Sequence, residues 1–179
     1  GNKIPFVAAA TVNPKVTVDG NTGKVKNYTF RACFIDSFQG AVGAQFALNS
    51  LKAKKVSILT DSSSDYSKGL TQIFKDSFTK NGGQIVGEEA YLQKDQDFKP
   101  VLTKLKSQNP DVLYIPGYYE DVGKIIKQAR ELGMNMPILG SDAWDSPKLA
   151  EIGGPQALNN TYFTNFYSIE DSNPVSNAF

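Results

Sequence analysis

The chain has 179 residues, of which 40% are apolar and 11% aromatic, and its 19 Lys and Arg residues nearly balance its 18 Asp and Glu residues. This is the composition of an ordinary globular protein, long enough to bury a core without a disulfide or a structural metal. A net charge of +1 excludes a uniformly positive surface for nucleic-acid phosphates, so we expect no nucleic-acid partner. The sequence contains no His, which excludes Ser-His-Asp triads and imidazole acid–base chemistry.

The first 36 residues contain two apolar runs separated by a polar segment. Residues 4–10 and 28–33 read as strands, whereas residues 13–27 are rich in Pro, Gly and Asn and read as a loop. The single cysteine, Cys33, lies in the second apolar run and is expected to be a small buried hydrophobe.

From residue 37 onwards, helical apolar spacing alternates with short apolar runs. The predicted helices cover residues 37–52, 66–81, 98–108, 119–132 and 146–153. The predicted strands cover residues 55–59, 84–87, 112–115, 137–140 and 162–164. Apolar runs without clean alternation are typical of parallel strands that are buried on both faces. Residues 37–165 are therefore predicted to form a doubly wound α/β domain, with a mostly parallel five-stranded sheet flanked by helices.

Polar and aromatic side chains directly follow three of the predicted strands. In an open parallel sheet, ligands bind beyond the carboxyl ends of the strands. We therefore expect Tyr66, either Tyr118 or Tyr119, and Asp142 with Trp144 to lie at one rim. A carboxylate beside aromatic rings suits an ammonium group, because the rings also attract cations.

These residues also have structural interpretations. An Asp near a helix start can cap free backbone amides, and we favour capping or solvation for three acids, Asp61, Asp65 and Asp145. For Asp142 and Tyr118, ligand contact and a structural role both stay open, and Trp144 could equally close the end of the core. We find no phosphate loop, dinucleotide fingerprint or nucleophile elbow, so we expect no cofactor and no enzyme activity.

Several short motifs, taken in their order and spacing, resemble those of one protein family. They are Ile4-Pro5, Ala8-Ala9-Ala10-Thr11, Asn13-Pro14, Phe30-Arg31, Asp36-Ser37-Phe38-Gln39-Gly40, Asp65-Tyr66-Ser67-Lys68-Gly69, Asn109-Pro110-Asp111, Gly117-Tyr118-Tyr119, Gln128-Ala129-Arg130-Glu131-Leu132-Gly133, Gly140-Ser141-Asp142 and Ser146-Pro147. With them the chain is similar to the substrate-binding proteins of branched-chain amino acid ABC transporters, which have the type I fold of periplasmic binding proteins. The resemblance implies two α/β lobes, joined by hinge strands, that close over an amino acid.

The resemblance also implies roles for individual residues. Ala9 and Thr11 match the segment that holds the carboxylate and ammonium of the ligand. Tyr66 and Tyr118 match the aromatic residues that cover the ligand, and Asp142 matches the acid that pairs with its ammonium. The second-tier candidates for ligand binding are Asp36, Phe38 and Trp144.

The same resemblance implies a domain organisation. Residues 1–36 correspond to a remnant of lobe one and the hinge, residues 37–165 to lobe two, and residues 166–179 to the hinge and the start of the return to lobe one. Because family members are about twice as long, we expect the chain to be lobe two with remnants of lobe one at both ends. Unpaired strands of lobe one could pair with a second chain, so a homodimer is possible.

The leading interpretation is an extracytoplasmic, non-enzymatic solute-binding protein, or one lobe of such a protein. It would capture a branched-chain or other hydrophobic amino acid and deliver it to the membrane permease of an ABC transporter. Half a site is expected to bind its ligand weakly at best. Two alternatives stay open: a ligand-sensing domain of a receptor or regulator with the same fold, and a small α/β enzyme that uses Asp142 and a Tyr.

Overall fold

The computed structural model describes residues 3–168, and these form two separate β-sheets. The smaller sheet contains only two parallel strands, β1 (Phe6–Ala8) and β2 (Thr29–Arg31). Both strands are shorter than predicted, and they pair with each other, which the sequence pattern did not indicate. The segment between them is largely irregular, as predicted, with one turn of 3-10 helix at Pro14–Val16 and an antiparallel bridge between Val18 and Val25.

Arg31 fastens this irregular segment to β2. Its Nη1 donates to the carbonyl oxygen of Val12 at 2.7 Å, and its Nη2 donates to Oγ1 of Thr17 at 3.0 Å. These bonds join β2 to Val12 and Thr17, so this stretch has a defined position although it contains little regular structure.

The larger sheet has five strands, all parallel. They are β3 (Lys55–Asp61), β4 (Gln84–Tyr91), β5 (Val112–Tyr114), β6 (Ile138–Gly140) and β7 (Thr161–Phe163). Their spatial order is β4-β3-β5-β6-β7, which confirms the predicted parallel five-stranded sheet.

Five helices alternate with these strands, each within three residues of its predicted bounds. They are α1 (Asp36–Asn49), α2 (Asp65–Lys80), α3 (Lys99–Ser107), α4 (Tyr119–Glu131) and α5 (Pro147–Gly153). The side chain of Ser64 accepts a bond from the amide of Ser67 at the start of α2. Gly82 and Gly133 follow α2 and α4 with φ of +90° and +73°, as expected for residues that end a helix.

Two apolar clusters cover the two faces of the larger sheet. On one face α1 and α2 pack against β3, β5 and β6 through residues such as Ala44, Phe74 and Tyr114. On the other face α3 and α4 pack through residues such as Leu102 and Ile126. The sheet is therefore covered on both sides, which confirms the doubly wound arrangement and explains why its strands read as continuous apolar runs.

Two local predictions need correction. Strand β4 extends four residues beyond its predicted end. It lies at the edge of the sheet, and its alternate side chains reach opposite faces, so the strand continues through polar residues. Glu88 pairs with Lys75 of α2 at 2.7 Å, and Glu89 pairs with Lys104 of α3 at 3.5 Å. Cys33, expected to be buried, is only half-buried, since the small sheet offers it no complete core.

Candidate functional site

The carboxyl ends of three strands of the larger sheet meet beside residues 10–13, and a pocket lies between them. The loop after β3 leads to Tyr66, the loop after β5 to Tyr118, and the end of β6 to Asp142. The pocket has a volume of about 310 Å³. Its lining residues are Ala10, Thr11, Val12, Asn13, Tyr66, Tyr118, Asp142 and Ala143.

Asp142 carries the negative charge of the pocket wall. Its Oδ1 accepts a hydrogen bond from the hydroxyl of Tyr66 and a second one, at 2.6 Å, from Nε2 of Gln39. Burial, followed by the charge of Asp142 and the hydrogen bond to it, raises the pKa of Tyr66 above its usual value. Tyr66 therefore stays a neutral donor at physiological pH and stabilises the carboxylate.

Two aromatic rings form the adjoining wall. The rings of Tyr66 and Tyr118 are 5.4 Å apart between centroids and are tilted by 32°. This separation falls in the range preferred by aromatic pairs, so the two rings support each other. Tyr118 is 39% exposed and presents its ring to the pocket, which gives a bound molecule an apolar surface next to the carboxylate.

A second carboxylate, that of Asp36, lies buried behind the pocket at the start of α1. It is 2% exposed, and its Oδ1 has no hydrogen-bond partner among the described residues. Burial and the charge of Asp142 raise the pKa of Asp36 to about 6, against a smaller opposing effect of Arg31. The same two carboxylates, after burial, raise the pKa of Tyr114. The region below the pocket thus concentrates negative charge.

Four of the five predicted ligand-binding residues line the pocket, and one does not. Thr11, Tyr66, Tyr118 and Asp142 line one pocket. Ala9 is exposed and lies outside the lining, where its neighbour Ala10 takes part instead.

The second-tier candidates also lie outside the lining. Asp36 is buried behind it, and Phe38 is 61% exposed. Trp144 is 1% exposed and belongs to the apolar cluster under α4, close to Gly140, so it fills the end of the core. Of its two predicted roles, the structure shows the packing role.

The three acids that we expected to cap helices or to be solvated all have structural contacts. Asp61 accepts bonds from the amide of Ser63 at 2.9 Å and from the side chain of Gln93 at 2.8 Å. Asp65 forms an exposed ion pair with Lys68 at 2.9 Å, and Asp145 accepts a 2.8 Å bond from Asn165.

Gln39 is the residue of this region that sequence reasoning missed. It lies on α1, 103 positions before the aspartate it contacts. Its one signal is its spacing: Gln39 follows Asp36 by three positions, so both lie on the same face of the helix. A polar pair on the buried face of a helix is unusual, but without the fold it does not identify a partner.

Larger surface hollows lie elsewhere on the described part of the chain. One of about 530 Å³ between α4 and α5 contains Arg130. The guanidinium of Arg130 donates to the carbonyl oxygens of Met136 at 2.8 Å and Asn159 at 2.9 Å. It therefore joins the end of α4 to the segment before β7 and has a structural role.

Within residues 3–168, no group of three or more Cys, Asp or Glu side chains is arranged to hold a metal ion. None of the helices in this range is both long and apolar enough to cross a bilayer.

Known proteins with similar sequences and similar folds are substrate-binding proteins or their homologues. The chain is 34% identical over 154 residues to Leu/Ile/Val-binding protein homolog 3 of Brucella melitensis, covering 86% of this chain and 41% of that protein. The structure of the leucine binding protein LivK from Thermotoga maritima is 43% identical and superposes with a TM-score of 0.89, covering 99% of this chain and 49% of that one. LivJ of Streptococcus pneumoniae, a branched-chain amino acid transporter substrate binding protein solved with isoleucine, is 34% identical with a TM-score of 0.82, covering 98% of this chain and 48% of that one.

The chain therefore spans less than half the length of these relatives. Its fold is that of the corresponding part of the two solved structures, since nearly the whole chain superposes on each. A model of the family described as "Periplasmic binding protein" matches residues 1–179, and the chain belongs to that family.

Proposed function

We propose that this chain supplies one lobe of an extracytoplasmic binding protein that captures an amino acid with a hydrophobic side chain, of the branched-chain class, and passes it to an ABC transporter permease. The observation that carries the proposal is the Asp142 carboxylate held beside Tyr66 and Tyr118 in a pocket that residues 10–13 close from another side. The names of the relatives support this proposal: one is a Leu/Ile/Val-binding protein homolog, one is a leucine binding protein, and one was solved with isoleucine.

The proposed domain organisation is that of one lobe with parts of the hinge and of the other lobe. Residues 37–165 form the ligand-binding lobe, and residues 1–36 belong to the other lobe and the hinge. The small sheet of β1 and β2 is separate from the larger sheet, which supports this division. Residues 166–179 are assigned to the hinge and the return to the other lobe; of these, residues 169–179 lie outside the described part of the chain.

The pocket offers a distinct partner to each part of a zwitterion. Asp142 pairs with the ammonium, since a carboxylate beside aromatic rings suits a cation. The hydroxyl of Thr11 and the backbone of residues 10–13 hold the carboxylate. The rings of Tyr66 and Tyr118 cover the apolar side chain. A ligand that contacts both residues 10–13 and residues of the larger sheet's loops stabilises the arrangement in which they are close together, which is the thermodynamic basis of closure.

Pairing of two copies through residues 1–36 stays a prediction. The side chains that such pairing would cover are Phe6 and Val7 of β1, which are 57% and 62% exposed.

The experiment that tests this function is calorimetric titration of the complete gene product with L-leucine, L-isoleucine and L-valine. We expect Asp142→Asn to weaken binding by about 100-fold, because a charge-assisted contact with the ammonium is lost while the shape is kept. The matched control is Asp145→Asn, three residues away, whose side chain is exposed and bonded to Asn165. Failure of all three amino acids to bind, or unchanged binding by Asp142→Asn, overturns the proposal.

A further inference from the structure

Gln39 lies directly behind the charge of the pocket. Its side chain is on α1 and only 2% of the residue is exposed, so it is not available to solvent or to a ligand. Its Nε2 donates to Oδ1 of Asp142 at 2.6 Å, and the hydroxyl of Tyr66 donates to the same oxygen. Within residues 3–168, Oδ2 of Asp142 receives no donor, although Asp142 lines the pocket. The two donors therefore hold one oxygen and leave the other available.

The orientation of the Gln39 amide is determined by the carboxylate. An ionised carboxylate only accepts hydrogen bonds, so the amide must present its NH₂ group to it. In this orientation Oε1 of Gln39 is buried without a hydrogen-bond partner in the described part of the chain. A buried acceptor without a donor is costly. The amide thus serves Asp142 through its NH₂ group while its oxygen has no partner among residues 3–168.

The surroundings of Gln39 explain why a neutral donor is needed here. Asp36 lies one helical turn before it on α1, and Asp142 lies ahead of it. Arg31 of β2 acts on Asp36, and the charges of the two acids act in turn on Tyr114 of β5, with Asp142 acting also on Tyr66 of α2. A third acid, at position 39, would repel both carboxylates, whereas an amide donates to one of them and adds no charge.

We propose that Gln39 is a positioning residue for ligand binding, whose amide, together with the Tyr66 hydroxyl, holds Oδ1 of Asp142 so that Oδ2 faces the pocket as the acceptor for a ligand ammonium. This inference rests on the proposed function and deepens it, because it assigns a division of labour to the two oxygens of one carboxylate. Gln39 itself does not touch the ligand.

Two substitutions at position 39 test this role by titration of the complete gene product with L-leucine. Gln39→Met keeps the approximate length of the side chain and removes the donor, and we expect binding about 10-fold weaker. Gln39→Glu places a carboxylate against Asp142, and we expect a loss of about 100-fold at pH 7.5. At pH 5 a protonated Glu can again donate to Asp142, so binding should recover at least about 10-fold relative to wild type at the same pH.

Lowering the pH also relieves charge repulsion that destabilises the fold, so the recovery in acid indicates positioning when Gln39→Glu is folded at both pH values. Gln45→Glu is the matched control: it adds the same charge to the exposed side of α1 and should bind as wild type does at both pH values. Circular dichroism checks that each variant is folded. Gln39→Met binding as tightly as wild type, or a folded Gln39→Glu that does not recover in acid, overturns the inference while the proposed function stands.

A measurement without ligand tests the contact between Gln39 and Asp142. In ¹H–¹⁵N NMR spectra of the complete gene product, the Gln39 side-chain amide should shift in Asp142→Asn and remain in place in Asp145→Asn. If the Gln39 side-chain amide signal does not shift in Asp142→Asn, the inference is also overturned. If wild type binds no amino acid at all, the proposed function fails, and the inference about ligand positioning fails with it, whatever the NMR result.

Discussion

At the scale of single residues, the site is organised around two acids in different environments. Asp142 reaches the pocket and has two neutral donors on one oxygen. Asp36 is buried, and its Oδ1 lacks a donor among the described residues. Asp142 is thus accessible from the pocket, whereas burial and the charge of Asp142 raise the pKa of Asp36 to about 6. Asp36 therefore takes up a proton in milder acid than an exposed aspartate does, and this protonation relieves its repulsion with Asp142.

Asp36 gives the protein a pH-dependent stability. Its pKa is raised to about 6 from the usual 3.8, so between these values the folded chain keeps a proton that the unfolded chain has lost. The contribution of Asp36 to stability therefore falls as the pH rises from about 4 to about 6, by about 2 kcal/mol. We expect Asp36→Asn to raise the free energy of unfolding by this amount at pH 7.5 and to be nearly neutral at pH 4, measured by urea denaturation.

Asp65→Asn is the control for that series. Asp65 also begins a helix, but its hydrogen bond to Lys68 and the charge of that lysine lower its pKa, so its contribution has the opposite sign. This variant should be slightly less stable than wild type at pH 7.5, with the difference disappearing in acid. If Asp36→Asn shows the same stability difference at pH 4 and pH 7.5, the buried, easily protonated state of Asp36 is contradicted.

At the scale of elements, the close approach of α1 and α2 positions Gln39 and Tyr66 on the same oxygen. Gly40 makes this approach possible, because a Cβ there would lie 2.7 Å from Cγ2 of Ile73 and 3.2 Å from the backbone nitrogen of Phe74. The neighbouring backbone cannot move aside cheaply. A small residue at position 40 is therefore required for the two helices to bring their donors together.

We expect Gly40→Ala to lower the free energy of unfolding by about 1–3 kcal/mol, since the added methyl group pushes α1 away from α2. Gly69→Ala is the matched control on α2, where a new Cβ meets no atom within 4 Å. Because Ala favours the helix more than Gly does, Gly69→Ala should raise stability by up to about 1 kcal/mol. Chemical denaturation measures both, and a Gly40→Ala variant as stable as Gly69→Ala would argue against the close helix contact.

At the scale of the whole molecule, the two sheets differ in how well they are covered. The larger sheet has helices on both faces, and the side chains of its central strands are buried. The small sheet has two strands, and Phe6, Val7 and Phe30 are each more than half exposed. An isolated two-stranded sheet is marginal in water, so the two parts of the chain should differ in local stability.

Hydrogen exchange can measure this difference. The amides of Leu113 and Ile115, which donate to Pro137 and Leu139 across the larger sheet, should exchange at least about 100-fold more slowly than those of Phe6 and Ala32 in the small sheet. The reason is that the small sheet can open without exposing the main core. Equal protection in the two sheets would mean that they unfold as one unit.

Much of the larger domain was predictable because the signals for its elements are local. The apolar spacing of α2 and α4 depends only on 3.6 residues per turn, and the β3 and β5 runs are apolar because the strands are covered on both faces. The rule that ligands bind at the carboxyl ends of parallel strands then predicted that Tyr66, either Tyr118 or Tyr119, and Asp142 lie at one rim.

Other features were decided only by the tertiary structure, because they depend on residues distant in the chain. The pairing of β1 with β2, the extension of β4 along the sheet edge and the packing of Trp144 in the core each need a neighbour that no local pattern specifies. The bond between Gln39 and Asp142 joins residues 103 positions apart. The sequence alone determined the elements and the rim on which the pocket lies, since these follow from local periodicity and strand direction. Three-dimensional packing decided which side chains point into the pocket and what holds them there, since a hydrogen bond depends on distances that only the folded chain defines.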